Sequence, residues 1–579
     1  MTVAEYIASF LANKGVDTVF SVSGGGCVFL LDAMSRNQNI KIIANHHEQG
    51  SAMAAEGYAR IKNDIGACLL TSGPGGFNAF TGVLCSYQDS TPTFIISGNV
   101  RKEMTTNFSG LNLRQLGDQE FNIVKVASNF TKYAIQVNEP NKIKYHLEKA
   151  YFLCKSGRPG PVWIDVPLDV SNAKIDPLKI ESYIPKNIKK ELSDITTNNI
   201  IEKLHSSVRP LIIVGNGIRL SGAVKSFNEF LKKHKIPVVT SLNGNDIVQS
   251  DYDYNFGRFG TVGQITPNKL IQECDLLLSI GSRLYVRQIG YNFKGFAKKA
   301  FKIYVDIDND ELNKPTLHPD IKVNMDAKDF IDNVLSKVEY DNYSLWKDYC
   351  HKMREKFPII REKTKNQSPL SVYWALYEIK NYVTENYSYV TSGAGQNIQG
   401  NQIIRLINDQ RLITNKSTAP MGYGLPAAIG AYYGTKKPII CIEGDGSIQM
   451  NIQELQVLYQ NQLPIKVIII NNNGYSCIRI TQNNFCNGNE TIAGPESGLT
   501  LPNYKDVANA YKIQYHSIKN SKDLHKVYSE VFSKEKHVPE IIEIFVDQNE
   551  LHEPKVISKL DKNGVFSNPN LDDIDWITN

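Results

Sequence analysis

The sequence predicts an α/β protein built from three doubly wound, open-sheet domains in tandem. Three observations predict it. Short apolar runs that end in glycine turns alternate with segments of helical spacing along nearly the whole chain, the pattern of strands buried on both faces and their crossover helices. These runs form three blocks, separated by polar, proline-containing stretches at about 171–199 and 339–369. The length, 579 residues, suits three or four domains.

In the first block Tyr6, Ile7, Phe10 and Leu11 have helical spacing. Strands are expected at 18–23, running into Gly24-Gly25-Gly26, and at 41–44, 67–71, 93–97 and 162–166. The second block offers 211–214, 238–241, 276–280 and 302–306, and the third 389–391, 438–442, 467–470 and 541–545. The expected units are therefore residues 1–175, 190–340 and 365–550, with a C-terminal tail at 551–579.

Hydrophobic residues make up 42% of the chain, with 23 Phe and 29 Tyr, which supplies several cores and excludes a disordered or collagenous chain. Lys+Arg minus Asp+Glu is 64 − 59 = +5, too even a balance to drive binding to nucleic acid or an anionic membrane. No apolar run reaches the ~18–20 residues of a membrane span, and the start lacks a basic and then apolar leader. The nine cysteines are scattered and form no C-x-x-C pair, which reads as reduced thiols and a cytoplasmic location.

The strongest chemical signal is Gly444-Asp445-Gly446-Ser447 after an apolar run, followed by a second run that ends in Asn471-Asn472-Asn473-Gly474. Alone these are a turn and a loop. Together, an Asp at one strand end and Asn472 at the next, with a backbone carbonyl near Gly474, make a small oxygen cage suited to Mg2+ beside a phosphate. Asn45-His46-His47-Glu48 could suggest zinc, but Ser51 occupies the place of the second His in H-E-x-x-H.

With these motifs in order, the chain resembles the thiamine-diphosphate enzymes, and within them the acetolactate synthase (acetohydroxyacid synthase) large-subunit branch. Gly444 to Asn472 resembles the diphosphate-binding motif, Asn45 to Arg60 the catalytic-glutamate segment, and Thr71-Ser72-Gly73-Pro74-Gly75 the pyrimidine-side glycine loop. Met421-Gly422-Tyr423-Gly424-Leu425-Pro426 resembles the segment beneath the cofactor's bend. The resemblance implies a pyrimidine-binding domain, a central Rossmann-like domain and a diphosphate-binding domain. It makes Glu48 the carboxylate on the pyrimidine N1′, favouring the imino tautomer that removes the C2 proton. By the same resemblance Met421 supports the bent cofactor, Gly25, Gly26 and Asn78 approach the pyrimidine, and Gln396, Asn397, Gly446 and Ser447 approach the diphosphate. Asp445, Asn472 and Gly474 become the Mg2+ ligands, and Gln119 a substrate-side glutamine. Glu454 stands where some relatives place an acid beside the substrate, although a structural role within its helix is the plainer reading.

In the central block Val214-Gly215-Asn216-Gly217, Gly281-Ser282-Arg283 and Asp306-Ile307-Asp308, with Arg158, resemble segments that hold FAD in acetolactate synthases. Gly215, Gly217 and Gly222 miss the G-x-G-x-x-G spacing by two residues, and relatives use this domain for FAD, for ADP or for nothing. Arg287 resembles the arginine that reads the acceptor's carboxylate. Two positions depart from the pattern: Leu168 replaces a lysine, and Thr481 replaces the specificity tryptophan. The expected function is a carboligase that decarboxylates pyruvate or a similar 2-oxo acid and transfers the acyl carbanion to a carbonyl acceptor, either a 2-oxo acid or a nucleotide-linked keto-sugar. The alternatives are a non-oxidative 2-oxo acid decarboxylase, a thiamine-diphosphate lyase or hydrolase, and a non-catalytic nucleotide-binding module. The resemblance also implies a homodimer or homotetramer, because family members enclose each cofactor between two subunits.

Overall fold

The computed structural model describes residues 1–186, 191–339, 343–395, 397–532, 538–560 and 563–574. Its core is three six-stranded sheets, parallel at every pairing. The first holds β1 (Thr18–Ser21), β2 (Lys41–Ala44), β3 (Gly66–Leu70), β4 (Thr93–Asn99), β5 (Tyr133–Gln136) and β6 (Val162–Pro167). The second holds β7 (Pro210–Val214), β8 (Val238–Thr240), β9 (Asn255–Arg258), β10 (Leu276–Ile280), β11 (Phe301–Asp306) and β12 (Ile321–Asn324). The third holds β13 (Ser388–Thr391), β14 (Leu412–Thr414), β15 (Ile439–Gly444), β16 (Ile465–Asn471), β17 (Gln514–Ile518) and β18 (Glu540–Phe545).

The first and third sheets share one strand order, β2-β1-β3-β4-β6-β5 and β14-β13-β15-β16-β18-β17. The central sheet runs β12-β11-β10-β7-β8-β9, the doubly wound dinucleotide order. In all three, the crevice beyond the strand ends where the order reverses is the place for a ligand. That point lies between β1 and β3, between β7 and β10, and between β13 and β15.

Inner strands such as Gly66–Leu70, Leu276–Ile280 and Ile465–Asn471 are buried almost throughout, which is why they stand out in the sequence as unbroken apolar runs. The strands without such a run are β5, β9, β12, β14 and β17, and each lies at a sheet edge. β9 and β17 alternate buried with half-exposed residues, β5 and β12 bury one residue each, and β14 has only three residues.

The outer domains meet through the helices Glu48–Lys62 and Gly424–Thr435. Both carry small residues on the shared face, Ala54, Ala55 and Gly57 against Ala427, Ala428 and Gly430. The backbones come so close that a Cβ on Gly57 would lie 2.2 Å from the Ala427 carbonyl oxygen, and one on Gly430 would lie 1.8 Å from that of Ala54. One hydrophobic core runs through this contact from Phe20 and Ile43 to Val390 and Ile469. Asp246 ties in the central domain by accepting from Arg219 (3.0 Å) and Arg411 (2.5 Å), while Arg411 also donates to the carbonyls of Arg60 (3.0 Å) and Ile61 (3.2 Å). Burial alone would raise this carboxyl, but the two guanidiniums hold it at about 2.

Gly430→Ala is expected to cost about 1–3 kcal/mol, because its Cβ meets backbone that cannot move aside. Thermal unfolding checks this, and an unchanged melting temperature would show that the helices tolerate a wider spacing.

Candidate active site

At the reversal point of the third sheet, β15 ends at Gly444 and Asp445 opens the next short helix. Asp445 is 1% exposed. Its Oδ1 accepts from the Gly446 N–H (2.8 Å), and its Oδ2 from the N–H groups of Asn472 (3.1 Å) and Gly474 (3.0 Å). Burial pushes the carboxyl up to about 6 despite those donors. Among the described residues no side-chain cation pairs with it.

Asn397 heads the helix that follows β13, on the other side of the crevice. It is 0% exposed, and neither its Oδ1 nor its Nδ2 has a hydrogen-bond partner. Its Nδ2 is 3.9 Å from where a Cβ on Gly444 would sit. A buried amide with nothing to bond is costly, so this one marks a place built for a polar guest. Ser447 Oγ accepts from the Gly422 N–H (2.9 Å), which brings Met421 to the same crevice. Asn397, Met421, Asp445, Gly446, Ser447, Asn472 and Gly474 thus converge. Gln396 lies outside the described residues.

The first sheet gathers its own set at the matching point. Glu48 follows β2 at the start of its helix, capped by His47, whose Nδ1 accepts from the Gln49 N–H (3.1 Å). Glu48 is buried, and Asn78 Nδ2 donates to its Oε2 at 2.9 Å. The Gly26 N–H donates to Thr71 Oγ1 (3.2 Å), which places Gly25 and Gly26 against the Thr71–Gly75 loop. Gly75 in turn is close enough that a Cβ would lie 3.2 Å from Glu48 Oε1. The exposed Gln119 reaches this loop only through its backbone, over Gly73.

The two sets are linked within one chain. Asn451 Nδ2 lies 2.9 Å from both Gln49 Oε1 and the Gly422 carbonyl. Glu454 accepts from Asn45 Nδ2 (2.8 Å) and the His46 N–H (3.0 Å). Burial pushes the Glu454 carboxyl up to about 7.

Arg158, Arg283 and Asp306 come together elsewhere, around a cleft at the reversal point of the central sheet. Both arginines are held by Glu311, Arg158 at 2.8 Å and Arg283 at 2.9 Å. Gly215 and Gly217 let their turn lie on the turn at Gly281, since a Cβ on Gly215 would be 2.1 Å from the Gly281 carbonyl. Arg287 is exposed on the short helix Val286–Ile289, and its charge reaches the buried Lys416 and Cys477.

Comparison with known proteins agrees with this layout. Residues 1–125 match the N-terminal TPP binding domain of thiamine pyrophosphate enzymes, 197–334 the central domain and 393–544 the C-terminal TPP binding domain. The chain belongs to the thiamine pyrophosphate enzyme family. It is 31% identical over 552 residues to the acetolactate synthase large subunit of Lactococcus lactis, covering 94% of this chain and 93% of that protein. It is also 31% identical to the isozyme 2 large subunit of Escherichia coli (84% and 85% covered) and 30% identical to the large subunit of Porphyra purpurea (89% and 87%). It is an acetolactate-synthase-like, thiamine-diphosphate-dependent enzyme.

Several buried groups of this enzyme stand at the site without a signal in its motifs. Asn451 and Lys416 are two of them, and Glu443 is a third. Burial pushes Glu443 up to about 7, and its Oε1 accepts from the Gly424 N–H (2.5 Å). Their positions depend on which loops the fold brings together.

Glu454 gives a pH test. Folded, it keeps its proton up to about pH 7, whereas unfolded it releases it near the ordinary glutamate value of 4.5. Its contribution is present below 4.5 and is lost as pH rises through about 7. Glu454→Gln removes that loss, so the variant should gain on the parent by about 1–3 kcal/mol between about pH 5 and about pH 7.5. Parallel urea-unfolding midpoints across that range would contradict the assignment.

Proposed function

We propose that this enzyme is a thiamine-diphosphate- and Mg2+-dependent carboligase that decarboxylates pyruvate or a similar 2-oxo acid and adds the acyl unit to a carbonyl acceptor. The acceptor is a second 2-oxo acid or a nucleotide-linked keto-sugar. The observation that carries the reading is the buried Asp445 carboxylate, without an ion pair among the described residues, at the same reversal point as the unbonded Asn397 amide. An oxygen-rich pocket of this kind fits Mg2+ and a diphosphate.

When bound, thiamine diphosphate supplies the electron sink that makes loss of CO2 from a 2-oxo acid feasible. The chain's own groups do the rest. Asp445, the Asn472 side chain and the Gly474 carbonyl would hold the metal, and Asn397 and the backbone at Gly446 and Ser447 the diphosphate. Glu48, oriented by Asn78, would share a proton with the pyrimidine N1′, while Gly25 and Gly26 offer backbone groups to the ring edge and Met421 supports the bend. Gln119 and Arg287 are assigned to the substrate side, where Thr481 offers a small polar wall.

The central cleft is assigned to FAD. Its strand order suits a dinucleotide; Arg158 and Arg283 already share Glu311, so a diphosphate must compete for them. A homodimer or homotetramer is proposed because Phe77 and Phe121 form an exposed aromatic pair next to Asn78, and Leu111, Leu113 and Leu116 are exposed as well. All nine cysteines are free, which supports a cytoplasmic setting. Among the described residues no helix is long and apolar enough to cross a membrane.

With labelled pyruvate, thiamine diphosphate, Mg2+ and candidate acceptors, the enzyme is expected to give CO2 and a ligated product. Glu48→Gln should lower turnover about 10²–10⁴-fold while calorimetry still shows cofactor uptake. CO2 with free aldehyde alone would mean a simple decarboxylase, and unchanged turnover in Glu48→Gln would remove Glu48 from the chemistry. Sedimentation followed at visible wavelengths should show a dimer or tetramer carrying a flavin band; a colourless monomer would contradict both assignments.

A further inference from the structure

Lys416 lies in the loop between β14 and Met421, and that loop is pinned on both sides. Asn415 Nδ2 donates to Glu56 Oε1 (3.2 Å), the Lys416 N–H to Asp89 Oδ2 (3.3 Å), and Ser417 Oγ to Asp89 Oδ1. The Lys416 side chain is 1% exposed, and its Nζ has no hydrogen-bond partner. An unpaired buried ammonium costs several kcal/mol. Burial, and then the Arg287 charge, push this lysine down to about 7.

The groups facing it do not supply a counter-ion. Asp89, the one carboxylate in reach, already accepts from Arg60 (3.2 Å), Ser417 and the Lys416 backbone. Tyr285, whose hydroxyl donates to the Lys416 carbonyl (3.4 Å), is driven upward by burial and stays neutral. Cys477 is raised by burial, in the combined field of Lys555, Arg287 and Lys416. His552 lies 3.5 Å from Cys477 Sγ and is pushed by burial and Lys555 down to about 3, so it too is neutral. Arg287 and Lys555 make no ion pair among the described residues. The fields of Lys555, Arg287 and Lys416 therefore overlap at Cys477, and beside the unpartnered Lys416 Nζ this favours a bound oxyanion.

An ion pair on the donor's carboxylate would stabilise the charge that must leave as CO2, so such a receptor suits an anion that survives the reaction. We propose that Lys416, with Arg287, receives an oxyanion of the carbonyl acceptor and takes up a proton from solvent as it does so. This rests on the carboligase reading and adds Lys416 to its acceptor side. Carboxylate and phosphate share the required chemistry. Below about pH 7 Lys416 is already charged and affinity is flat; above it each binding event takes up a proton, and affinity falls about tenfold per pH unit.

The test is calorimetry on the enzyme loaded with thiamine diphosphate and Mg2+, in buffers of different ionisation enthalpy, at about pH 8. Oxamate probes the carboxylate arm and uridine diphosphate the phosphate arm. Proton uptake with either probe, absent in Lys416→Met with binding weakened tenfold or more, supports the receptor and identifies the anion. Lys416→Arg, which is permanently charged, should bind without uptake, and it decides the matter if Lys416→Met fails to take up the cofactor. Uptake that persists in Lys416→Arg, or absence of uptake with both probes in the parent, overturns the proposal. Failure of the carboligase reading looks different: the parent would release no CO2 from any 2-oxo acid, while proton-linked anion binding persisted.

Discussion

The structure depends on the close contact between the helices Glu48–Lys62 and Gly424–Thr435. Glu48 opens one helix, and Met421 lies just ahead of the other, so the spacing of this pair sets the spacing of the two candidate half-sites. Alanine and glycine at the crossing let backbone pack on backbone, with Gly57 on Ala427 and Gly430 on Ala54, and packed backbone is hard to displace. Polar bonds then fix the register at the helix starts, through Asn451 to Gln49 and Glu454 to Asn45 and His46.

Buried charge serves a different purpose at each junction. Asp246 is saturated by Arg219 and Arg411, and that knot joins all three domains. Asp445, Glu443 and Glu454 are carboxyls without a cation, raised by burial to about 6 or 7 and held mainly by backbone or amide donors. Groups kept so far from their ordinary behaviour cluster at functional sites, and these three lie on the segment 443–454, whose Glu443 accepts from Gly424 and whose Glu454 accepts from Asn45 and His46 just ahead of the Glu48 helix.

Much of this was legible in the residues themselves. Inner strands announce themselves because both faces are buried and most positions are apolar. Edge strands such as Gln514–Ile518 and Ile321–Asn324 do not, because half of each faces other surroundings. Asp445 and Asn472 follow two adjacent strands, because the apolar runs ahead of them mark where those strands end, whereas resemblance alone names Glu48 and Asn78. Asn451 and Lys416 could not be read in advance: their meaning comes from partners, or missing partners, hundreds of positions away. The glycines at Gly215 and Gly217 show the opposite case, a phosphate-loop composition that here serves the contact with Gly281.

Thr481 turns its hydroxyl back to the Cys477 carbonyl of its own helix (2.8 Å) and leaves its outer face open. A side chain satisfied so locally can be exchanged without disturbing the web that joins the domains. Innovation in what the catalyst accepts can therefore accumulate on that helix, while the coenzyme end, locked between two sheets, stays as it is.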